Sequence, residues 1–314
     1  MFLPIAHCRL PTALSLASDL LSLTKPRVIS LLLVTAVAPM FITDRGLPPL
    51  ALIGWVLLAG FLMAGGANAI NMWFDRDIDI HMARTKLRPV PSGRLAPGVA
   101  LLFGITLGAV SFALFWRFAN PLAAWLALAG LLFYVFIYTM WLKRWSPQNI
   151  VIGGAAGAFP PLVGWAAMTG SLDLTALYLF AIVFYWTPPH FWALALIKEQ
   201  DYARAGVPMM PVVKGAHETK VQMLVYTLML LPLTLLPVLA GTQGMLYGVV
   251  AVLLGGRLLW YCLRLLRYES VTPLAWKMYK YSLLYLALLF VAMGVDKQIP
   301  LWKRAPAPEI VILK

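Results

Sequence analysis

The chain is a succession of long apolar runs separated by short breaks that are charged or rich in proline and glycine. A helix needs about 20 apolar residues to cross the hydrocarbon core of a bilayer. The sequence divides into nine such runs, over approximately Val28–Ile42, Pro49–Met72, Gly98–Phe118, Leu122–Leu142, Asn149–Met168, Leu172–Leu196, Val221–Ala240, Met245–Leu266 and Tyr281–Val295. This pattern predicts an all-α, polytopic membrane protein with nine transmembrane helices.

The composition excludes the soluble classes. Only 12% of the 314 residues are charged and 61% are hydrophobic, whereas soluble domains are roughly 25% charged. A single core cannot bury so much apolar surface, and a disordered chain would not carry it. No basic arm interleaved with aromatic residues accompanies the net charge of +13. We therefore assign this charge to cytoplasmic loops and an anionic ligand, and we expect no nucleic-acid partner.

The basic residues predict the direction of the spans. With the N-terminus inside, eighteen of the 25 lysines and arginines fall on the inner side and six on the outer side. Such an imbalance follows the positive-inside rule and favours an N-in, C-out topology. We expect an N-terminal cytoplasmic or interfacial segment (1–27), a transmembrane domain (28–295) and a C-terminal tail (296–314). The inner loops would face the cytoplasm from the inner (plasma) membrane.

An acidic stripe lies at the inner end of the second span. Asn71, Asp75 and Asp79 are four residues apart, so a helix places them on one face, and Asn68 joins that stripe. Carboxylates at membrane depth are costly and usually face a protein interior or a water-filled cavity. Mg²⁺ prefers oxygen ligands and is often held by one or two carboxylates together with substrate phosphates. Asp77 points away from this face, so we interpret it as an ordinary surface charge.

A basic stretch follows the acidic stripe, with Arg84, Lys86 and Arg88. Guanidinium and ammonium groups are the side chains that hold phosphate oxygens. Aspartates for a metal ion beside arginines for phosphate predict a diphosphate site, although the acids and bases could instead only pair with one another. Lys143 and Arg144, at the inner end of the fourth span, either complete this site or are ordinary membrane anchors.

The pattern Asn71-x-x-x-Asp75-x-x-x-Asp79 ahead of Arg84-Thr-x-x-Arg88-Pro resembles the first aspartate motif of the UbiA superfamily of intramembrane prenyltransferases. Within that superfamily, the chain is most similar to the heme branch, the protoheme IX farnesyltransferases. Four further segments carry this similarity: Asn149–Gly154, Gly157–Trp165, Trp186–Trp192 and Asp201–Met209. Together the motifs cover the chain from about Lys25 to Gly215.

This resemblance implies a UbiA-type bundle that transfers farnesyl from farnesyl diphosphate to a vinyl group of heme b. Water would add to the product, giving heme O and diphosphate, and Mg²⁺ would be the cofactor. A neighbouring heme A synthase is a candidate partner.

The second inner loop would bind substrate through Lys198, Glu199, Asp201 and Tyr202, with Asp201 as a further metal ligand. Its acids are only two residues apart, unlike the regular second motif of quinone-type relatives.

His190 lies in an otherwise apolar span. An ionisable residue there indicates function by default, and heme iron accepts an imidazole ligand, so we take His190 as a heme-binding candidate. The alternative is a neutral histidine bonded to a backbone group freed by Pro188 and Pro189. Tyr134, Tyr138 and Trp165 are candidates for aromatic walls that shield an allylic cation.

Three other functions remain open at this point. A transporter or channel would explain the spans, although not the concentration of acids and arginines at the inner ends of two loops. A prenyltransferase could act on an aromatic acid such as a hydroxybenzoate. A non-catalytic heme-binding assembly factor would not need the stripe formed by Asn71, Asp75 and Asp79.

Overall fold

Helices make up most of the computed structural model, which describes residues 13–268 and 272–299. The helices are α1 (Ala13–Thr24), α2 (Pro26–Ile42), α3 (Leu50–Phe74), α4 (Arg76–Asp79), α5 (Pro97–Phe118), α6 (Pro121–Leu132), α7 (Lys143–Trp145), α8 (Asn149–Gly153), α9 (Phe159–Thr169), α10 (Leu174–Ile197), α11 (Glu199–Arg204), α12 (Met210–Leu239), α13 (Met245–Arg267) and α14 (Thr272–Gln298). A π-helical segment, Phe133–Leu142, joins α6 to α7, and a 3-10 segment, Gly154–Ala158, joins α8 to α9.

The predicted membrane-spanning architecture is confirmed. Within the described residues, eight helical stretches are long and apolar enough to cross a bilayer, and α1 with α2 makes a ninth if this pair, bent by 48°, is counted as one span. Because the spacing of apolar residues sets both span length and span number, the boundaries of most spans differ from the predicted ones by only a few residues.

Two helices begin earlier than the sequence predicts. The seventh span was expected from Val221 and the ninth from Tyr281, but α12 begins at Met210 and α14 at Thr272. Lysine and glutamate are good helix formers, and their long side chains can place the charge in water at the membrane boundary, so these residues do not end a helix. The second inner loop is correspondingly shorter, and a kink at Gly215 (φ 81°, ψ 167°) separates the first five residues of α12 (210–214) from the rest.

The buried side chains form two main clusters. One is built on α2, α3, α5, α6 and α9, and the other chiefly on α9, α10, α12, α13 and α14. In the first, α3 and α5 approach so closely that a Cβ added to Gly66 would lie 2.6 Å from the carbonyl oxygen of Gly104. Small residues are what allow this approach between membrane helices. Ser111 reinforces it by donating a hydrogen bond to the carbonyl of Ala59 at 2.6 Å.

The end of the bundle opposite the acidic stripe is tied by polar contacts. Asp296 of α14 accepts hydrogen bonds from the backbone N–H groups of Gly244 and Tyr247, and so caps the start of α13. Lys297 pairs with Asp44 in the loop after α2. The functional groups described next lie at the other end of the bundle.

Candidate active site

Asp75 lies at the centre of a buried polar cluster. The residue is 0% exposed, and its Oδ2 accepts hydrogen bonds from Lys143 Nζ and, at 2.7 Å, from Asn71 Nδ2. Asn71 Nδ2 also donates to Thr139 Oγ1 at 3.1 Å. Arg144 Nη2 lies 3.8 Å from Asp75 Oδ1. The contacts join α3 to the π-helical segment and to α7, so the fourth span supplies the cations for the carboxylate of the second.

Asp79 forms a second buried ion pair one helical turn further on. Its backbone N–H donates to the carbonyl of Asp75 at 2.8 Å, which continues the helical path past the end of α3. The Asp79 side chain is 2% exposed and pairs with Arg88 Nη1 at 2.7 Å. Thr85 donates to the backbone carbonyl of Asp79 at 2.9 Å and so folds the basic stretch back over the acidic one.

Asp77 occupies the opposite face, with its side chain 58% exposed. Both of its carboxylate oxygens accept hydrogen bonds from Arg144, each at 2.7 Å. The Arg144 guanidinium also lies over the ring of Phe74, 4.6 Å from its centroid. The hydrogen bond from Arg144 holds the pKa of the Asp77 carboxyl below its usual range.

The break between α1 and α2 contributes a residue that the sequence reasoning missed. Lys25 Nζ donates to Asn71 Oδ1 at 3.0 Å, and Lys25 is the one non-glycine residue with positive φ among those the structure describes (φ 56°). Backbone strain of this kind clusters at functional sites. Asn68 Nδ2 donates to the carbonyl of Thr24 at 2.9 Å, so two amides of α3 hold this break in place. A lysine directly before Pro26, which starts a span, is the signal that could have found it.

Thr139 is the other contributor that was missed. It is a 0% exposed polar residue on the π-helical segment, and it reaches Asn71 from 68 positions away in the sequence. A hydroxyl within an otherwise apolar span was the available signal. Such a segment often marks a functional site within a helix.

Arg84 and Tyr202 bring the two inner loops together. Arg84 lies close enough to Tyr138 and Tyr279 to interact with both electrostatically, and so does Tyr202. Tyr138 stands 5.4 Å from Tyr134 between ring centroids. The second inner loop therefore comes near the acidic stripe through Tyr202 and the tyrosines beside it, and not through the acidic residues of the loop.

The other predicted residues of the loops are placed more peripherally. Asp201 pairs with Arg204 on α11. Lys86, Lys198 and Glu199 make no side-chain hydrogen bond or ion pair within residues 13–268 and 272–299. No hydrogen bond or ion pair therefore connects these three described side chains to the cluster around Asp75, and their roles in substrate binding stay predictions.

His190 is buried, 4% exposed, on α10. Its Nδ1 lies 2.7 Å from Ser282 Oγ on α14. Nδ1 therefore bonds to this hydroxyl. It does not bond to a backbone group freed by Pro188 and Pro189, which was the alternative that the sequence offered.

The acidic stripe has more cations than anions around it. Arg76 lies within the segment 71–79, and Arg88, Lys143 and Arg144 form ion pairs with its carboxylates, which makes four positive charges without counting the buried Lys25. Against these stand the three carboxylates of Asp75, Asp77 and Asp79. Exposed Arg84 and Lys86 add to the same sign nearby. An excess of positive charge around a cluster of carboxylates indicates an anionic ligand.

The donor set suits a hard cation that shares its coordination with such an anion. Asp75 Oδ1 is buried without a hydrogen-bond partner among the described residues. Further oxygen atoms lie one helical turn away on either side: the carboxylate of Asp79, which pairs with Arg88, and the amide oxygen of Asn71, which accepts from Lys25. No group of three His, Cys, Asp or Glu side chains able to hold a metal ion occurs in the described part of the chain. Mg²⁺ needs only one or two carboxylates when phosphate oxygens and waters complete its shell.

Curated relatives cover most of the chain. A protoheme IX farnesyltransferase of Roseiflexus sp. (strain RS-1) is 59% identical over 283 residues, which are 90% of this chain and 53% of that protein. A protoheme IX farnesyltransferase of Symbiobacterium thermophilum is 54% identical over 280 residues, covering 88% of this chain and 93% of that protein. The chain thus spans about half the length of the first of these relatives and nearly the whole of the second.

Solved structures share the fold at low sequence identity. A digeranylgeranylglyceryl phosphate synthase superposes with a TM-score of 0.71 at 18% identity, over 90% of this chain and 98% of that one. A UbiA homolog from Archaeoglobus fulgidus bound to GPP and Mg²⁺ gives a TM-score of 0.62 at 17% identity, over 88% and 99%. Residues 31–294 match the UbiA prenyltransferase family, to which this multi-pass membrane chain therefore belongs.

Proposed function

We propose that the chain transfers the farnesyl group of farnesyl diphosphate to a vinyl group of heme b, with addition of water, and releases heme O and diphosphate. The observation that carries this proposal is the buried Asp75 cluster with its surplus of cations. The relatives named protoheme IX farnesyltransferase support heme as the acceptor. The transmembrane unit 28–295, together with Lys25 just before it, would contain the site.

Breaking the allylic carbon–oxygen bond leaves both bonding electrons on the oxygen, which adds one negative charge to the departing diphosphate. Positively charged groups that are already in place stabilise such a leaving group without reorganisation. Lys143 and Arg144 are held by Asp75 and Asp77, and Arg88 by Asp79, so their positions are set before substrate arrives. We assign the same role to Lys25, Arg84 and Lys86, with Asn68, Lys198, Glu199 and Tyr202 as further substrate-binding residues.

Asp75, Asp79 and Asn71 would hold Mg²⁺, with Asp201 as a further ligand from the second inner loop. Bound Mg²⁺ supplies Lewis-acid stabilisation of charge on the diphosphate oxygens. The A. fulgidus homolog bound to GPP and Mg²⁺ supports this assignment. Asp75 Oδ1, which accepts no hydrogen bond from the described residues, is the oxygen of the stripe that best fits it.

The vinyl π-electrons then attack the allylic cation, and water adds to the resulting carbocation on the porphyrin side chain and loses a proton. Premature capture of the allylic cation by water is the competing reaction. Tyr134 and Tyr138, with ring centroids 5.4 Å apart, wall the region beside the cluster and can stabilise positive charge through their ring faces.

Purified protein in detergent, incubated with heme b, farnesyl diphosphate and Mg²⁺, tests the proposal by mass spectrometry of the extracted heme. We expect the mass of farnesyl plus water from the wild type and a loss of at least about 100-fold for Asp75→Asn, since an ion-holding carboxylate is removed. Asp44→Asn is the matched control. This aspartate lies at the other end of the bundle with its side chain 90% exposed, and its replacement should leave turnover unchanged.

Other outcomes would point to other functions. Prenylation of a hydroxybenzoate with heme left unchanged would keep the prenyltransferase and replace the acceptor. Absence of prenyl transfer to any acceptor, together with solute uptake by vesicles that contain the protein, would favour a transporter. Farnesylation of heme by Asp75→Asn at the wild-type rate would overturn the assignment of the cluster.

We further propose that the protein lies in the inner membrane with its N-terminus and the site facing the cytoplasm, and that heme O passes to a heme A synthase. Single cysteines at Lys86 and Asp44, in a background without Cys8 and Cys262, test the orientation. An impermeant maleimide added to intact cells stripped of any outer barrier should label position 44 and spare position 86. Co-purification with heme A synthase tests the partner.

A further inference from the structure

Two aromatic rings cover both faces of the His190 imidazole. Trp186 stacks on one face, with centroids 4.4 Å apart and planes at 16°, and Tyr279 of α14 on the other, at 4.7 Å and 20°. Since both faces are occupied, any ligand can reach the imidazole only in the plane of its ring. That is the direction in which a ring nitrogen donates its lone pair to a metal ion.

Ser282 determines which ring nitrogen has that lone pair. Its Oγ lies 2.8 Å from the carbonyl oxygen of Tyr279 and 2.7 Å from His190 Nδ1. A carbonyl only accepts, so the hydroxyl hydrogen goes to Tyr279 and the Ser282 oxygen accepts from the Nδ1–H of His190. A neutral imidazole has a single N–H, and a charged one is disfavoured in a buried apolar site. The lone pair is therefore on Nε2.

Ser282 is itself firmly held between α10 and α14. It is 0% exposed, and its carbonyl oxygen accepts a hydrogen bond from Trp186 Nε1 at 2.9 Å. Histidines that bind metals commonly donate their other N–H to an outer group, which fixes both the tautomer and the orientation of the ring. The Ser282 hydroxyl occupies that outer position, and Nε2 has no hydrogen-bond partner within the described residues.

The imidazole also lies on the side of the bundle where the proposed chemistry takes place. Tyr279, which stacks on it, is within electrostatic range of Arg84 in the first inner loop and of Tyr202 in the second. A porphyrin held through His190 would thus lie beside both loops.

We propose that His190 Nε2 is an axial ligand of the heme iron and that Ser282 is the positioning residue that sets its tautomer. This inference rests on the proposed function, because it takes heme b as the substrate. It adds a role for iron that the transfer of farnesyl to a vinyl group does not itself require.

Titration of the full chain in detergent with hemin and, separately, with iron-free protoporphyrin IX tests this role, because the two porphyrins differ only in the metal. We expect hemin to bind at least about 10-fold more tightly and to show the absorption and EPR signature of nitrogen ligation. His190→Gln should abolish both the difference and the signature. Ser282→Ala should weaken hemin binding by about 10-fold or more, as outer partners of metal ligands typically do.

Protoporphyrin binding is the control for folding and should be unchanged in both variants. His217→Gln, at an exposed position on α12, is the matched histidine control and should keep the hemin signature. Equal binding of the two porphyrins by the wild type, or an equal loss of both in Ser282→Ala, would overturn the inference.

The transfer assay separates this inference from the proposed function. Farnesylation of heme without nitrogen ligation would refute the ligand assignment and leave the transferase standing. Ligation without farnesylation would do the reverse.

Discussion

Asp75 illustrates what a single residue of this site must do for the fold as well as for the reaction. Its buried carboxylate depends on Lys143 for charge compensation. Removing one partner of a buried pair leaves an uncompensated charge, which costs about 3–5 kcal/mol. We therefore expect Lys143→Met to lower the free energy of unfolding by about that amount, measured by chemical denaturation in detergent.

The double variant separates the two contributions. Asp75→Asn combined with Lys143→Met removes both charges, so most of the stability should return while farnesyl transfer stays at least about 100-fold below that of the wild type. A double variant as unstable as Lys143→Met alone would show that the carboxylate is not what the lysine compensates.

Asp77 makes a weaker contribution because more than half of its side chain is exposed. Since Arg144 holds the pKa of Asp77 below its usual range, the pair stabilises the fold above the ordinary aspartate range, and this stabilisation is lost as the pH falls through the lowered pKa. At neutral pH we expect Asp77→Asn to unfold more easily by less than about 1 kcal/mol.

Thermal unfolding at pH 7 and pH 3 checks this expectation. The difference between wild type and Asp77→Asn should shrink at the lower pH, and also in high salt at pH 7. A difference that grows towards low pH would contradict the assigned pair.

At the scale of helices, the contact of α9 with α2 leaves no room for a side chain at Gly164. A Cβ placed there would lie 1.6 Å from the carbonyl oxygen of Ala36, so backbone would have to move. Overpacking a core typically costs 1–3 kcal/mol and more where backbone must shift. We expect Gly164→Ala to lose at least about 3 kcal/mol of stability in denaturation experiments.

Gly157 provides the comparison for this variant. A Cβ on Gly157 would meet nothing within 4 Å, although the two glycines are in the same sequence segment. Gly157→Ala should change stability by no more than about 0.5 kcal/mol. Similar losses for both variants would indicate that the segment is sensitive to any helix-favouring change rather than to the contact with α2.

The sequence predicted the elements better than it predicted their contacts. Apolar run length determines the spans, and helical periodicity brings Asn71, Asp75 and Asp79 to one buried side while leaving Asp77 exposed. Lys25 and Thr139 were missed because each reaches Asn71 from a distant part of the chain, and the local periodicity of a sequence does not show such contacts. The helical start of α12 was missed because charged residues at a membrane boundary look the same in a loop and in a helix.

For the molecule as a whole, positive charge gathered at one end predicts stabilisation by a polyanion. A ligand that binds only the folded state stabilises it by about 2.7 kcal/mol at 100 times its dissociation constant. We expect inorganic diphosphate with Mg²⁺ to raise the thermal midpoint, and removal of Mg²⁺ by a chelator to reverse most of the gain.

Two variants localise this effect. Arg88→Gln should reduce the rise in thermal midpoint because the Arg88 guanidinium lies at the acidic stripe. Arg117→Gln should not, because Arg117 is exposed in the last turn of α5, at the end of the bundle away from the stripe. An equal gain with and without Mg²⁺ would contradict the metal assignment, and no gain at all would contradict the diphosphate site.

The π-helical segment Phe133–Leu142 gives the fourth span a built-in register shift. Its i→i+5 pattern accommodates residues that an α-helix of the same length would not hold. If the same residues returned to α-helical bonding, which turns the chain by about 100° per residue, everything after them would be rotated about the helix axis. Lys143 and Arg144 would then turn away from α3, so the reach of both cations to the carboxylates depends on the π-helical bonding of the segment before them.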